Sequence, residues 1–166
     1  MAELLKLSLE GIDEAIGNYS ERAARMQDMS PVFEAGDKYF RAEMNEQFKS
    51  QGAFLQAGTK WTPLSPEYAK RKLAKYGPPP TPFGILYATG ALEQSLSQEG
   101  GDHIKEITPQ SGTYGSSILY GKYHQKGGPK LPQRRIIIIT KRFQAFMMDA
   151  MWTWILRGKK PGEGEK

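Results

Sequence analysis

The sequence predicts an α+β protein: an N-terminal helical hairpin and a C-terminal helix packed on a small, mainly antiparallel sheet, with long loops. Three observations predict it. Apolar residues recur at helical spacing in two adjacent N-terminal stretches and again near the C-terminus. Between them, after Gly100-Gly101, polar and apolar residues alternate as in strands. Eighteen glycines and eleven prolines in 166 residues punctuate the rest with turns and long loops. A chain of this length is most simply one domain, here residues 1–157, followed by a polar, disordered tail over 158–166.

Each element has its own local signal. Residues 4–9 alternate in part and suit a short strand. Ile12, Ile16, Tyr19, Ala23 and Met26 recur at steps of four and three and form one face of a first helix, closed by Asp28-Met29-Ser30. Ser30-Pro31 starts a second helix with a hydroxyl cap followed by proline, where no donor is needed. Running to Ser50, it is about 30 Å long at ~1.5 Å per residue. Phe33, Phe40, Met44 and Phe48 are its buried stripe, and Gly36 makes room on that side. Asp37, Lys38, Arg41, Glu43 and Glu46 cover the other sides. Trp61 plugs the core, because Pro63 and Pro66 forbid a long element here. Ser65-Pro66 repeats the cap and opens a helix to Tyr76, with Tyr68 and Leu73 buried and Lys70, Arg71, Lys72 and Lys75 outside. Residues 78–82 form a stiff, exposed proline segment. Thr89 caps a short helix bearing Ala91, Leu92, Ser95 and Leu96.

The strands come next. His103–Thr108 and residues 116–120 are expected to pair as a hairpin across a turn at 111–115, and residues 135–140 supply a third, buried strand, for three to four strands in all. Lys141–Arg157 is the last helix. It is apolar nearly all round, which puts it in the core or in an interface.

Composition excludes several functions. The chain has no cysteine, which removes disulfides, thiolate zinc sites and cysteine nucleophiles together. The first residues lack a basic segment followed by an apolar one, so no signal peptide is expected. The longest apolar stretch, residues 145–156, is shorter than the ~20 residues a membrane span needs, and no membrane partner is expected. Net charge is +5 and unevenly placed. Ten acids and six bases lie in residues 1–50, a balance of −4, against seventeen bases and eight acids afterwards, a balance of +9. Opposite halves of this kind can attract each other between copies, or mark a basic face for nucleic acid.

Catalytic patterns are absent. His103 and His124 are the two histidines, and neither has a sequence neighbour at metal-ligand spacing. A general base at His124 would need an orienting acid and a nucleophile that the sequence does not name. No phosphate-binding glycine motif occurs, so no cofactor is expected. The basic stretch from Lys122 through Lys126 and Lys130 to Arg134 and Arg135 contains no acid. It suits subunit contacts, non-specific proximity to DNA, or plain solvation.

Three segments carry a further pattern: Trp61-Thr62-Pro63-Leu64-Ser65 with Tyr68, Lys70 and Lys72; residues 85–96, containing Thr89-Gly90; and Tyr120-Gly121-Lys122-Tyr123-His124-Gln125-Lys126-Gly127-Gly128, followed by proline, arginine and an apolar run. In this order they resemble the phage virion morphogenesis family, the Mu-type tail-completion or neck proteins. Gly121 stands where that family often has alanine, and either Arg134 or Arg135 can take its arginine's place. The resemblance implies a non-enzymatic structural protein of a tailed phage or prophage that completes the tail or joins it to the head. It implies a ring, with a hexamer as first expectation, contacts to tail-tube or head-connector proteins, and a place in the virion after assembly in the bacterial cytoplasm. It also implies that Trp61, Pro63, Leu64, Tyr68, Thr89, Gly90, Tyr123, His124, Gln125 and Gly127 act in structure or interaction, with Lys122, Lys126, Arg134 and Arg135 beside them. The alternative is a non-specific nucleic-acid-binding module using the basic loop 122–135.

Overall fold

The computed structural model of the chain describes residues 12–79 and 84–161. Its fold is α+β, with the elements in the order α1 (Ile12–Gln27), α2 (Ser30–Lys49), α3 (Pro66–Tyr76), α4 (Ala91–Ser97), β1 (His103–Thr108), β2 (Ser111–Ser116), α5 (Leu119–Lys126) and α6 (Lys141–Arg157). The strand expected at residues 4–9 lies outside the described residues, as do 80–83 of the proline segment and 162–166 of the tail.

Helix α2 is the axis, and α4, α6 and the β-hairpin all pack against it. Phe40, Met44 and Phe48 on its inner face meet Leu55, Trp61, Ile85, Leu92, Leu96 and Ile136 in one apolar core. Burying each large side chain of this kind contributes about 1.5–3 kcal/mol. Two residues placed on the polar sides by the sequence pattern, Asp37 and Glu43, are buried as well, because β1 and α6 cover those sides too. Ser30 is not the cap of α2. It is the first helical residue, and its N–H donates to Asp28 Oδ1 at 3.0 Å. Ser30, through its side chain first and this N–H second, holds the Asp28 carboxyl below its usual range.

Hydroxyls cap both α3, as Ser65-Pro66 predicts, and α6. Ser65 accepts from the Tyr68 N–H and Thr140 from the Phe143 N–H. Helix α6 ends at Gly158 in the left-handed region. It is clamped to α1 at its far end, where Trp154 Nε1 donates to the Asp28 carbonyl at 2.8 Å and Arg25 Nη1 donates to the Ile155 carbonyl at 3.1 Å. Nearer its start, Phe146 stacks on Tyr39 with ring centres 4.2 Å apart.

The sheet departs from expectation. It has two strands, paired antiparallel from His103↔Ser116 to Thr108↔Ser111. Residues 111–115, read as the turn, form β2 itself, and the chain reverses at Pro109-Gln110. Gly112 and Gly115 suggested a turn, but pairing with β1 outweighs that local preference. Residues 116–120 span the end of β2 and the start of α5. Residues 135–140 carry no regular secondary structure and enter no ladder among the described residues. Helix α3 also differs, since none of its residues is buried and both Tyr68 and Leu73 are about half exposed.

Candidate functional site

Residues 134–137 form the seam that joins the three segments singled out in the sequence. An extended chain without a strand partner must satisfy its N–H and C=O groups elsewhere. Gln125 does so from α5. Its Oε1 accepts from the Ile136 and Ile137 N–H groups at 2.6 and 3.1 Å, and its Nε2 donates to the Ile137 carbonyl at 2.7 Å. The side-chain amide thus substitutes for a neighbouring strand. On the other side, the Arg135 carbonyl accepts from Trp61 Nε1 at 2.9 Å and from Gln47 Nε2 at 3.2 Å. Trp61 is buried edge-on against Phe48, with ring centres 5.4 Å apart. Gly52, at φ +96°, lies under the Trp61 ring, where a Cβ would come within 2.5 Å of it. Gly127, at φ +70°, ends α5 and donates to the Tyr123 carbonyl.

Arg134 ties the seam to the Trp61 segment. Only 4 % of it is exposed. Its Nε donates to the Thr62 carbonyl at 3.0 Å and its Nη2 reaches the Pro63 carbonyl at 3.5 Å, while its backbone N–H donates to the His124 carbonyl at 2.8 Å. Arg135 is exposed. Of the two arginines, Arg134 is therefore the one built into the fold.

Above this seam lies a cleft of about 770 Å³ between α3 and α5. Arg134, Lys72, Arg71, Lys130 and His124 line it, together with Tyr68 and Tyr120, and its walls are leucine and proline. Among the described residues, no acidic side chain lines it. Lys72 donates to the Gly84 carbonyl. Burial, and secondarily Arg134, pull the Lys72 ammonium below its ordinary range. Burial likewise lowers His124, with Arg134 and Lys72 adding to the effect, and burial lowers Arg134 itself. His124 Nδ1 is buried without a hydrogen-bond partner. The cleft therefore gathers positive charge that no carboxylate in its lining offsets.

Compared with protein-family models, curated proteins and solved structures, the chain matches none. The site rests on its own geometry.

That geometry divides the sequence candidates into four groups. Pro63, Leu64, Tyr68, His124 and Arg134 line the cleft. Trp61, Gln125 and Gly127 support it from below. Tyr123, Lys122 and Lys126 lie on the outer face of α5, exposed, with Lys122 Nζ 5.2 Å from the centre of the Tyr123 ring. Thr89 and Gly90 form the turn into α4. Gly90 takes the left-handed conformation, and Thr89 Oγ1 accepts only a long 3.4 Å bond from the Ala91 N–H.

Several buried polar residues carry no sequence signal. Asp37 Oδ1 meets His103 Nε2 at 2.7 Å, and its Oδ2 accepts from Arg41 Nε at 3.0 Å. His103 Nδ1 lies 2.9 Å from the Ser95 carbonyl, so both ring nitrogens face acceptors. Gln47 and Gln51 bind backbone groups of distant segments, Leu55 N–H and Ile85 N–H respectively. A charge on a helix face ordinarily reads as solvated, and only the docking of β1 and the following loops reverses that reading.

Proposed function

We propose that this protein is a structural subunit of a tailed phage or prophage virion, completing the tail or joining it to the head, and that it works as a ring of copies. The observation that carries the reading is the apolar surface left uncovered on the single chain. Met148, Trp152 and Leu156, one helical turn apart on α6, are each about half exposed, and so are Ile16 and Met26 on α1. Ile139 is 71 % exposed on a segment without a strand partner among the described residues. Unpaired extended edges and contiguous apolar stripes are the features that a neighbouring copy covers. The acidic first third and basic remainder suit a heterologous contact, which closes into a ring when the rotation allows. The three segments that resemble the virion morphogenesis family are also the ones joined at the 134–137 seam.

The test is the solution mass by light scattering, over a range of concentration and salt. A closed species near six copies that loosens as salt rises is the expected result. A monomer under all conditions, and also in the presence of assembled tails, would sink the proposal. A second reading, non-specific nucleic-acid binding by the basic loop, draws on the exposure of Lys122, Lys126, Lys130 and Arg135. It requires oligonucleotide affinity that falls steeply with salt.

A further inference from the structure

The cleft between α3 and α5 contains a problem that the assembly reading leaves untouched. Arg134 is almost wholly buried, yet its two hydrogen-bond acceptors are neutral carbonyls, of Thr62 and Pro63. Among the described residues it makes no ion pair. Lys72 is half-buried beside it, and its acceptor is the neutral Gly84 carbonyl. His124, from the opposite wall, brings a buried ring nitrogen without a partner among the described residues. Lys130 and Arg71 stand at the rim, exposed. Buried charge of one sign is costly until an opposite charge meets it.

The walls narrow the choice of anion. Tyr68 and Tyr120 flank the cleft, each a little under half exposed, and Leu64, Leu86 and Leu131 continue the apolar surface. The volume falls in the range of small-molecule sites, about 300–1,000 Å³. Several cations lining one cleft, with aromatic residues beside them, match a phosphate attached to a planar ring. A bare carboxylate would leave the tyrosines and apolar walls unused.

We propose that this cleft is a phosphate-binding site whose ligand is a nucleotide: Arg134, Lys72 and Lys130 take the phosphate oxygens, His124 supplies a further hydrogen bond, and Tyr68 and Tyr120 flank the base. The nucleotide can be free or part of a single strand, since both present the same phosphate and ring. The site is independent of ring formation, so it stands or falls separately from the assembly reading.

The experiment uses the full chain and three probes: inorganic phosphate, a deoxynucleoside monophosphate and a short oligothymidylate, each titrated by calorimetry and by tyrosine fluorescence. Phosphate and the mononucleotide are expected to compete for one site per chain, with the mononucleotide tighter. Arg134 is unsuited to substitution because it holds the Thr62 and Pro63 carbonyls. Lys130→Gln, at an exposed position, is expected to weaken binding about tenfold, the worth of one charge-assisted hydrogen bond. Lys72→Gln is expected to do the same, and Lys126→Gln, outside the cleft, to leave affinity unchanged. An oligothymidylate tighter than the mononucleotide, and further weakened by Lys126→Gln, assigns the site to a strand. Equal affinity assigns it to free nucleotide. No saturable binding of any phosphate probe overturns the proposal. So does affinity indifferent to both Lys130→Gln and Lys72→Gln, or capture of a polyglutamate peptide in preference to phosphate.

Discussion

Gln125 is the residue on which the seam most depends. One side chain satisfies three backbone groups of a segment that has no strand beside it. Ile136 is buried, so truncating Gln125 leaves its N–H without a partner and without water, whereas Ile137 can recover solvent. Gln125→Ala is expected to cost about 2–3 kcal/mol, read as a lower denaturant midpoint with an unchanged slope. His124 sets a pH dependence. Its folded-state pKa is depressed, chiefly by burial, so the unfolded chain takes up the proton first as pH falls. Its contribution is therefore full above about 6.5 and is lost as pH drops through the folded value. The thermal midpoint should fall between pH 7.5 and pH 5.5, and by less in His124→Gln. Equal slopes in the two proteins would remove His124 as the cause, with His103 common to both.

At the scale of the element, α6 divides its surface between two tasks. Its inner side is fixed by Trp154 on α1, by Phe146 on Tyr39 and by Arg142, whose Nη2 lies 2.9 Å from Glu43 Oε1. Its outer side carries Met148, Trp152 and Leu156, which touch too little of this chain to be explained by the monomer's stability. Trp152→Glu is therefore expected to change monomer stability by no more than about 0.5 kcal/mol, as for an ordinary surface change, while abolishing assembly in the light-scattering measurement. Unfolding of that variant would show instead that the stripe serves the chain's own core. Helix α2 illustrates the converse case. Its apolar stripe was legible from residue spacing, but its buried Asp37, Glu43 and Gln47, and Gln51 just beyond it, were not, because nothing within one or two helical turns distinguishes them from solvated residues.

For the whole molecule, charge and apolar exposure argue together. The charge balance is −4 in residues 1–50 and +9 afterwards, and α1, α6 and residues 137–139 offer area to bury. Interactions between exposed charges weaken at ionic strengths where the screening length shrinks from about 10 Å to about 3 Å, whereas apolar burial persists. An assembly that survives 1 M salt would rest on the α6 stripe, and one that dissolves would rest on the charged halves. The cleft adds a third feature, a cationic site between α3 and α5.

By itself the sequence determined the helices other than α5, the strand β1 and the cap of α3. These signals are local: periodicity, a hydroxyl before a helix and a glycine after it act between residues three or four apart. It also marked the three segments that meet at the site, and Trp61 as a core residue. Tertiary structure alone decided what those segments do to one another. Residues 135–140 have the composition of a strand, yet their partners are Gln125, Gln47 and Trp61, the last two 88 and 74 residues away. No spacing within a segment encodes that pairing. Arg134 and Arg135 are likewise indistinguishable in sequence, and burial separates them because the Thr62 and Pro63 carbonyls lie where only one can reach. The cleft, with its uncompensated charge, exists only once α3 and α5 are held on opposite sides of that seam.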